Sequence, residues 1–433
     1  MITVLIISII TIILMIASII FFPKIKIGKL NIQSYWVITL IGAIILVAFN
    51  LVPFRELINE LIKDTSVNPI KILTLFISMT VLSVFLDELG FFKYLASVAI
   101  KKAKCKQMSI FLSLYALTSI LTIFTSNDII ILTLTPFICY FCKNAKINPI
   151  PYLVSEFVSA NTWSMMLIIG NPTNIFLGSQ ANISFFDYFK VMALPTFAGG
   201  IVSFLIIMII FRKELQKEIV PIECSEPLKD KNLLIIGLIH LISGTILLSI
   251  SSYINLEMWI ITLCFALSLL IITSIYLIIR KDPKDVVLNT LKRAPWTLIP
   301  FILSMFVIVL GLSIKGLPEI ISKNVCLNYP VMGYGLLSFV CSNIMNNIPM
   351  CVFFSKIISC LGSSFNYLKV TYSVIAGSNI GAFLTPIGAL AGIMWMSILK
   401  KNDVEFSFFS FMKYGVVISV PTIVITILII III

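Results

Sequence analysis

The chain has 433 residues, of which 59% are apolar and 12% are charged, and its formal net charge is +12. Soluble domains carry about 25% charged residues, so this composition excludes an ordinary soluble protein and indicates a polytopic membrane protein. In such a protein the basic excess is expected in cytoplasmic loops and does not indicate nucleic-acid binding.

The first half, residues 1–211, is predicted to form five membrane spans and one re-entrant hairpin. The apolar segments lack period-2 alternation, so they are expected to be helices of about 20 residues. The N-terminal segment has neither a basic leader nor a small-residue cleavage site and is therefore predicted to be the first span. Lysines bracket the segment 108–142, so both of its ends are expected in the cytoplasm, with a turn between them. The spans are expected at about 2–22, 35–53, 70–89, 150–178 and 189–211.

Residues 212–232 form a polar segment that we predict to be a cytoplasmic linker, and residues 233–433 repeat the pattern of the first half. Five is an odd number of spans, so the two halves must face opposite ways, as in the inverted repeats of many secondary transporters. This orientation places about three quarters of the lysines and arginines in the cytoplasm. The spans of the second half are expected at about 233–252, 257–279, 295–314, 367–399 and 409–432, with a hairpin at 331–362. The sequence therefore predicts an all-α integral protein of the cytoplasmic membrane, an inverted repeat with about ten spans and two hairpins.

Polar turns interrupt apolar segments at four places, TSND (125–128), GNPTN (170–174), SNIMNN (342–347) and TPIG (385–388). A helix broken within the bilayer exposes free N–H and C=O groups, and such backbone is tolerated only where it is buried in protein or lines a wet cavity. We predict that the four turns meet and form one substrate and ion site between the repeats. The predicted binding residues are Ser126, Asn127, Asp128, Asn161, Asn171, Thr173, Asn174, Ser342, Asn343, Asn346, Asn347, Asn379 and Thr385.

The ionisable residues of the spans supply the coupling candidates. Asp128 is a carboxylate at a hairpin tip, which predicts proton or sodium coupling; capping of the helix that follows is the alternative. Glu156, about two turns from the inner end of its span, is a second candidate for a proton path, with a snorkelling or pore-edge carboxylate as the alternative. Asp87 and Glu88 are expected to be solvated or bonded to a loop, and His240 is expected to form a hydrogen-bonded packing contact.

Several other chemistries find no support in the sequence. Cys139 and Cys142 lie one helical turn apart and could hold a soft metal, but buried cysteines usually pack as small apolar side chains, so no metal site is predicted. The chain has no phosphate-binding glycine loop of the Walker type and no nucleophile and base at helical spacing. We therefore predict neither ATP hydrolysis within this chain nor an enzymatic activity.

Four segments resemble arsenite/antimonite permeases of the ion transporter superfamily, and the resemblance extends over nearly the whole chain. They are LDELGFF (86–92), NDIIILTLTPF (127–137), MNNIPM (345–350) and LTPIGALAGIMW (384–395). The resemblance implies a transport domain of hairpins and broken spans that moves against a scaffold of outer spans, with a homodimer formed through the scaffold. GNPTN and Ser126-Asn127 resemble divalent anion/sodium symporters more closely. The chain differs from the permeases at Asn161, where they carry aspartate, and from the symporters at Asp128, where they carry threonine.

Charge favours one class of substrate. A dicarboxylate beside Asp128 would place like charges within ~4 Å of each other, which costs about 4 kcal/mol at an effective dielectric near 20, and the four breaks contain no Arg or Lys. We therefore interpret the chain as an arsenite/antimonite-type efflux transporter in the lipid bilayer, driven by the proton gradient or membrane potential. H⁺ or Na⁺ is the coupling ion, and no other cofactor is predicted. The alternatives are a Na⁺-coupled citrate or dicarboxylate symporter, a Na⁺/H⁺ antiporter, and the membrane subunit of a pump with a soluble ATPase partner.

Overall fold

The computed structural model describes most of the chain, and nearly all of its regular structure is helical. The described residues are 1–22, 24–27, 30–64, 68–102, 106–218, 229–251, 253–283, 285–325, 328–361 and 366–433. Among them, nine helices are long and apolar enough to cross a membrane. One short antiparallel strand pair, β1 (Lys24–Ile27) and β2 (Leu30–Gln33), accompanies them. The predicted class, an all-α integral membrane protein, is confirmed.

The helices of the first half follow the predicted spans closely. They are α1 (Ile2–Phe21), α2 (Ser34–Ala48), α3 (Phe54–Ile62), α4 (Pro69–Glu88), α5 (Phe91–Lys102), α6 (Gln107–Phe124), α7 (Asn127–Ala145), α8 (Ile150–Trp163), α9 (Pro172–Gln180), α10 (Phe185–Ile210) and the single turn α11 (Arg212–Leu215). The predicted broken span consists of α8 and α9, with a 3₁₀ turn at Ile168–Gly170 between them.

Helices α6 and α7 form the predicted hairpin, as their contacts with α8 show. Tyr152 near the start of α8 donates to Gln107 at the start of α6, and Thr122 near the end of α6 donates to the Ala160 carbonyl, so α6 runs parallel to α8. Helix α7 runs antiparallel to α8, because its first residue, Asn127, contacts Asn161 near the end of α8. The chain therefore reverses at Thr125 and Ser126.

The second half contains the same succession of elements as the first. Its helices are α12 (Lys231–Ile250), α13 (Met258–Arg280), α14 (Asp285–Arg293), α15 (Leu298–Ile314), α16 (Leu317–Asn324), α17 (Pro330–Met345), α18 (Asn347–Ser359), α19 (Tyr367–Gly381), α20 (Leu390–Lys401) and α21 (Phe408–Ile432). Each half has two long helices, a short one, a long one, a short one, a two-helix element, a broken span and a last long helix. The opposite orientation of the halves and the boundaries 1–211, 212–232 and 233–433 stay predictions; residues 219–228 of the linker lie outside the described residues.

Small residues let α17 and α19 approach closely. A Cβ atom added to Gly377 would lie 2.0 Å from Ser338 Oγ, and one added to Gly381 would lie 2.2 Å from Ser342 Oγ. Glycine and serine at helix contacts are the usual way in which membrane helices reach close packing. This contact fixes the end of α19, where Asn379 lies, against the helix that precedes the SNIMNN break.

Candidate functional site

Asn379 lies at the centre of a buried amide network that joins the two halves of the chain. Its Oδ1 accepts hydrogen bonds from Ser164 Oγ at 3.0 Å and from Asn171 Nδ2 at 2.9 Å. Its Nδ2 donates to Asn174 Oδ1 at 2.7 Å and to the Ile375 carbonyl at 2.9 Å. A side-chain amide offers two donors and two acceptor lone pairs, so this side chain is fully satisfied. The second half thereby holds the GNPTN break of the first half.

The tip of the first hairpin belongs to the same network. Asn127 Nδ2 donates to Asn161 Oδ1 at 3.1 Å, and the Asn161 carbonyl accepts from Ser164 Oγ at 2.9 Å. Within the GNPTN break, Asn171 Oδ1 caps α9 by accepting from the Thr173 backbone N–H at 3.1 Å and from its hydroxyl at 3.0 Å. The breaks of the first half are thus connected to each other and to Asn379.

A second cluster joins the two breaks of the second half. Asn343 Oδ1 accepts from the Thr385 backbone N–H at 3.1 Å and from its hydroxyl at 2.7 Å. Asn346 Nδ2 donates to the Ile387 carbonyl at 3.1 Å, and the Asn347 backbone N–H donates to the Gly388 carbonyl at 3.0 Å. These contacts hold the SNIMNN and TPIG breaks together.

The two clusters adjoin, because Asn343 Nδ2 also donates to the carbonyl of Gly381, two residues after Asn379. Ser342 belongs to the second cluster as well, because its hydroxyl accepts from Asn343 Nδ2 at 3.2 Å and donates to the Phe339 carbonyl of its own helix. The structure therefore brings together eleven of the thirteen predicted binding residues. The remaining two, Ser126 and Asp128, line a cavity instead. That these residues bind a substrate or an ion stays a prediction.

The cavity has a volume of about 320 Å³, and its walls come from both halves of the chain. On one side it is lined by α4, the start of α2 and the turn between α14 and α15. On the other side it is lined by the hairpin tip, α7 and α20. Lys292 and Arg293 also line it, at the end of a segment that the sequence places in the cytoplasm. The cavity therefore reaches from that predicted face to the first hairpin tip.

Asp128 faces this cavity and forms no hydrogen bond or ion pair with any residue that the structure describes. Helix α7, which begins at Asn127, has no side-chain cap hydrogen bond. The capping role that we considered as an alternative is thus not supported by a hydrogen bond. The carboxylate instead occupies the first turn of α7, where the helix dipole favours an anion.

Two carboxylates at the end of α4 are held by an arginine that the sequence did not connect with them. Arg293 donates to Asp87 Oδ2 and to Glu88 Oε1, each at 2.5 Å, and both carboxylates are buried. We predicted that they are solvated or bonded to a loop; the structure shows them buried and bonded to Arg293, which lies in the segment between two spans. The sequence signal for this ion pair was weak, because Arg293 is one of two consecutive basic residues at the end of α14, a helix of only 9 residues.

Glu156, the second coupling candidate, is buried away from the cavity. Its two carboxylate oxygens each lie 3.1 Å from Thr135 Oγ1, and Trp395 Nε1 donates to Oε2 at 3.3 Å. These contacts tie α8 to α7 and α20. Trp395 itself is fully buried, so the carboxylate is enclosed by three helices.

The other candidates occupy apolar surroundings. Cys139 and Cys142 are buried, and the described residues contain no group of three metal-ligating side chains. His240 Nδ1 lies 2.8 Å from the Ile236 carbonyl, and its ring stands edge-on to Phe265. The packing role predicted for His240 is confirmed.

Comparisons with known proteins show similarity to transporters over most of the chain. A family model described as citrate transporter matches residues 19–367. A putative arsenical pump membrane protein of Bacillus subtilis (strain 168) is 24% identical over 377 residues, which cover 80% of this chain and 84% of that protein. The arsenical pump membrane protein of Escherichia coli (strain K12) is 24% identical over 367 residues, covering 81% and 83%. The crystal structure of the Alcanivorax borkumensis YdaH transporter is similar over 99% of this chain and 97% of its own, with a TM-score of 0.58 at 10% identity, which shows a shared fold.

Proposed function

Because the chain belongs to the citrate transporter family and is a multi-pass membrane protein, we propose that it is a secondary active transporter of a small inorganic oxyacid. The substrate is of the arsenite or antimonite type, and the direction is efflux driven by the proton gradient or membrane potential. The arsenical pump relatives support this substrate class. The chain acts by transport and not by catalysis.

The observation that carries the proposal is the unpaired carboxylate at the hairpin tip. Three charged side chains line the cavity, Lys292, Arg293 and Asp128. Arg293 is occupied by Asp87 and Glu88, which do not line the cavity, whereas Asp128 has no ion-pair partner among the described residues. Like charges repel strongly in a poorly screened site, so a multiply charged carboxylate is a poor ligand there and an uncharged acid is a good one.

Coupling through the first hairpin tip is consistent with the same geometry. Asp128 can bind and release a proton where it meets the cavity. Ser126 Oγ and Asn127 Oδ1 are buried and have no hydrogen-bond partner among the described residues. Oxygen atoms of this kind are suitable ligands for a hard cation such as Na⁺. The coupling ion is therefore H⁺ or Na⁺, and it acts near Asp128.

The test is arsenite accumulation in everted membrane vesicles energised by respiration, measured for the wild type and for Asp128→Asn. We expect the wild type to accumulate arsenite, and we expect the accumulation to disappear with an uncoupler and with the variant. Normal accumulation by Asp128→Asn would remove this carboxylate from the coupling mechanism.

Na⁺-coupled citrate transport is the second candidate, favoured by the description of the family model. Absence of arsenite accumulation together with Na⁺-dependent citrate uptake in right-side-out vesicles would move the function to this class. A third outcome, accumulation that needs ATP after the ion gradient has collapsed, would favour a soluble ATPase partner.

A further inference from the structure

The cavity beside Asp128 is lined by one polar side chain of α4. Thr80, on α4, is 4% exposed, and its hydroxyl has no hydrogen-bond partner among the described residues. Ser126, across the cavity at the hairpin tip, is 5% exposed and its hydroxyl is likewise unpartnered. Both side chains line the cavity, as does Asp128. A buried hydroxyl without a partner costs about 1–3 kcal/mol, so these groups indicate that a ligand completes them.

The polar groups lie at a defined depth in the cavity. Thr80 precedes Asp87 by seven residues on the same helix, which places it roughly 10 Å further along α4 than the Arg293 ion pair. Tyr35 and Thr297 also line the cavity, and the Tyr35 hydroxyl donates to Thr297 Oγ1 at 3.2 Å. Apolar residues, among them Phe76 and Leu390, form much of the rest. The inner part of the cavity therefore offers hydroxyl groups and one carboxylate in an otherwise apolar wall.

We propose that Thr80, Ser126 and Asp128 form a subsite for the uncharged oxyacid, in which α4 supplies a specificity-determining contact to the transported molecule. Each hydroxyl of such an acid can donate one hydrogen bond and accept others, which matches two hydroxyl side chains and a carboxylate acceptor. A carboxylate strengthens the O–H contact that it accepts. Because Thr80 lies on α4 and Ser126 at the hairpin tip, the subsite is complete only when the hairpin tip faces this cavity. The inference rests on the proposed function and names the residue that sets affinity on this face.

The experiment compares Thr80→Val with Ser83→Ala in the full-length protein, purified and placed in lipid nanodiscs. Valine keeps the shape of threonine and removes the hydroxyl. Ser83 lies on the same helix, but its hydroxyl bonds to the Met79 carbonyl and does not line the cavity. Arsenite binding is measured by titration calorimetry, and arsenite transport is measured in vesicles.

We expect Thr80→Val to weaken arsenite binding about tenfold, which is the effect of losing one hydrogen bond. Ser83→Ala should bind arsenite as the wild type does. Thr80→Ser, which retains the hydroxyl, should restore binding and separates loss of contact from misfolding.

Unchanged arsenite affinity in Thr80→Val, with normal transport by the wild type, would overturn this inference alone. The inference would also be overturned, and the proposed function kept, if titration with sodium chloride showed that Thr80→Val impairs Na⁺ binding and leaves arsenite binding intact. A wild-type protein that neither binds nor transports arsenite would overturn the proposed function and this inference together.

Discussion

Substitution of Asn379 by alanine tests whether the amide network holds the transport geometry. The variant removes the partner of Asn171 Nδ2 and of Asn174 Oδ1, whereas Ser164 keeps its bond to the Asn161 carbonyl. Each unsatisfied buried amide group costs about 1–3 kcal/mol, so the two together cost about 2–6 kcal/mol. If about 3 kcal/mol of this falls on the transporting conformation, the rate drops by about a hundredfold.

The assay is arsenite accumulation in everted vesicles, combined with the melting temperature of the purified protein. Asn324→Ala is the matched control, because Asn324 is exposed and donates only to the Ile320 carbonyl of its own helix. We expect Asn379→Ala to lose transport and to melt at a lower temperature, and the control to do neither. Transport by Asn379→Ala at half the wild-type rate or more would refute the reasoning that this network positions the four breaks.

Two further predictions concern buried carboxylates. Glu156→Gln should retain most of the transport that Asp128→Asn loses. The Thr135 hydroxyl has one proton and donates it to the Ile131 carbonyl at 2.5 Å, so a neutral side chain that can donate to Thr135 Oγ1 fits at position 156. Vesicle assays of both variants would show the opposite order if Glu156 carried the coupling proton. Arg293→Ala should lower the melting temperature clearly more than Arg280→Ala, because it leaves two buried carboxylates unpaired. We expect a loss of about 2 kcal/mol in the free energy of unfolding, after allowance for the partial exposure of Arg293. Equal melting temperatures would contradict the ion-pair argument.

The long helices could be predicted from the sequence because hydropathy over about 20 residues is a strong signal. The breaks could also be predicted, since Asn, Ser, Thr, Gly and Pro stand out in groups within apolar segments. Helix α9 begins at Pro172 and α18 at Asn347, both within the predicted turns. The short helices α3, α5, α14 and α16 were missed. They have only 8 to 12 residues, too few for a periodic pattern to stand out from a loop.

The cavity could not be predicted, because its walls come from helices that are distant in sequence. Thr80 is one of four hydroxyl residues in α4, and threonine in a helix often bonds to its own backbone, so the sequence gives it no functional signal. Arg293 was counted as one of many cytoplasmic basic residues, although it reaches Glu88 more than 200 positions away. Both become informative only once the fold shows which side chains share a space.

The first hairpin tip contacts both the amide network and the cavity. Its consecutive side chains point to different sides, which gives a route by which a ligand in the cavity could act on the network. Asn127 donates to Asn161 and so belongs to the amide network. The residues before and after it, Ser126 and Asp128, line the cavity. A ligand or proton that binds on the cavity side therefore acts on the same short backbone segment that the network holds. Because Asn127 and Asp128 are consecutive residues at the start of α7, we expect a change of charge at Asp128 to act on Asn127 directly, without a relay through distant residues.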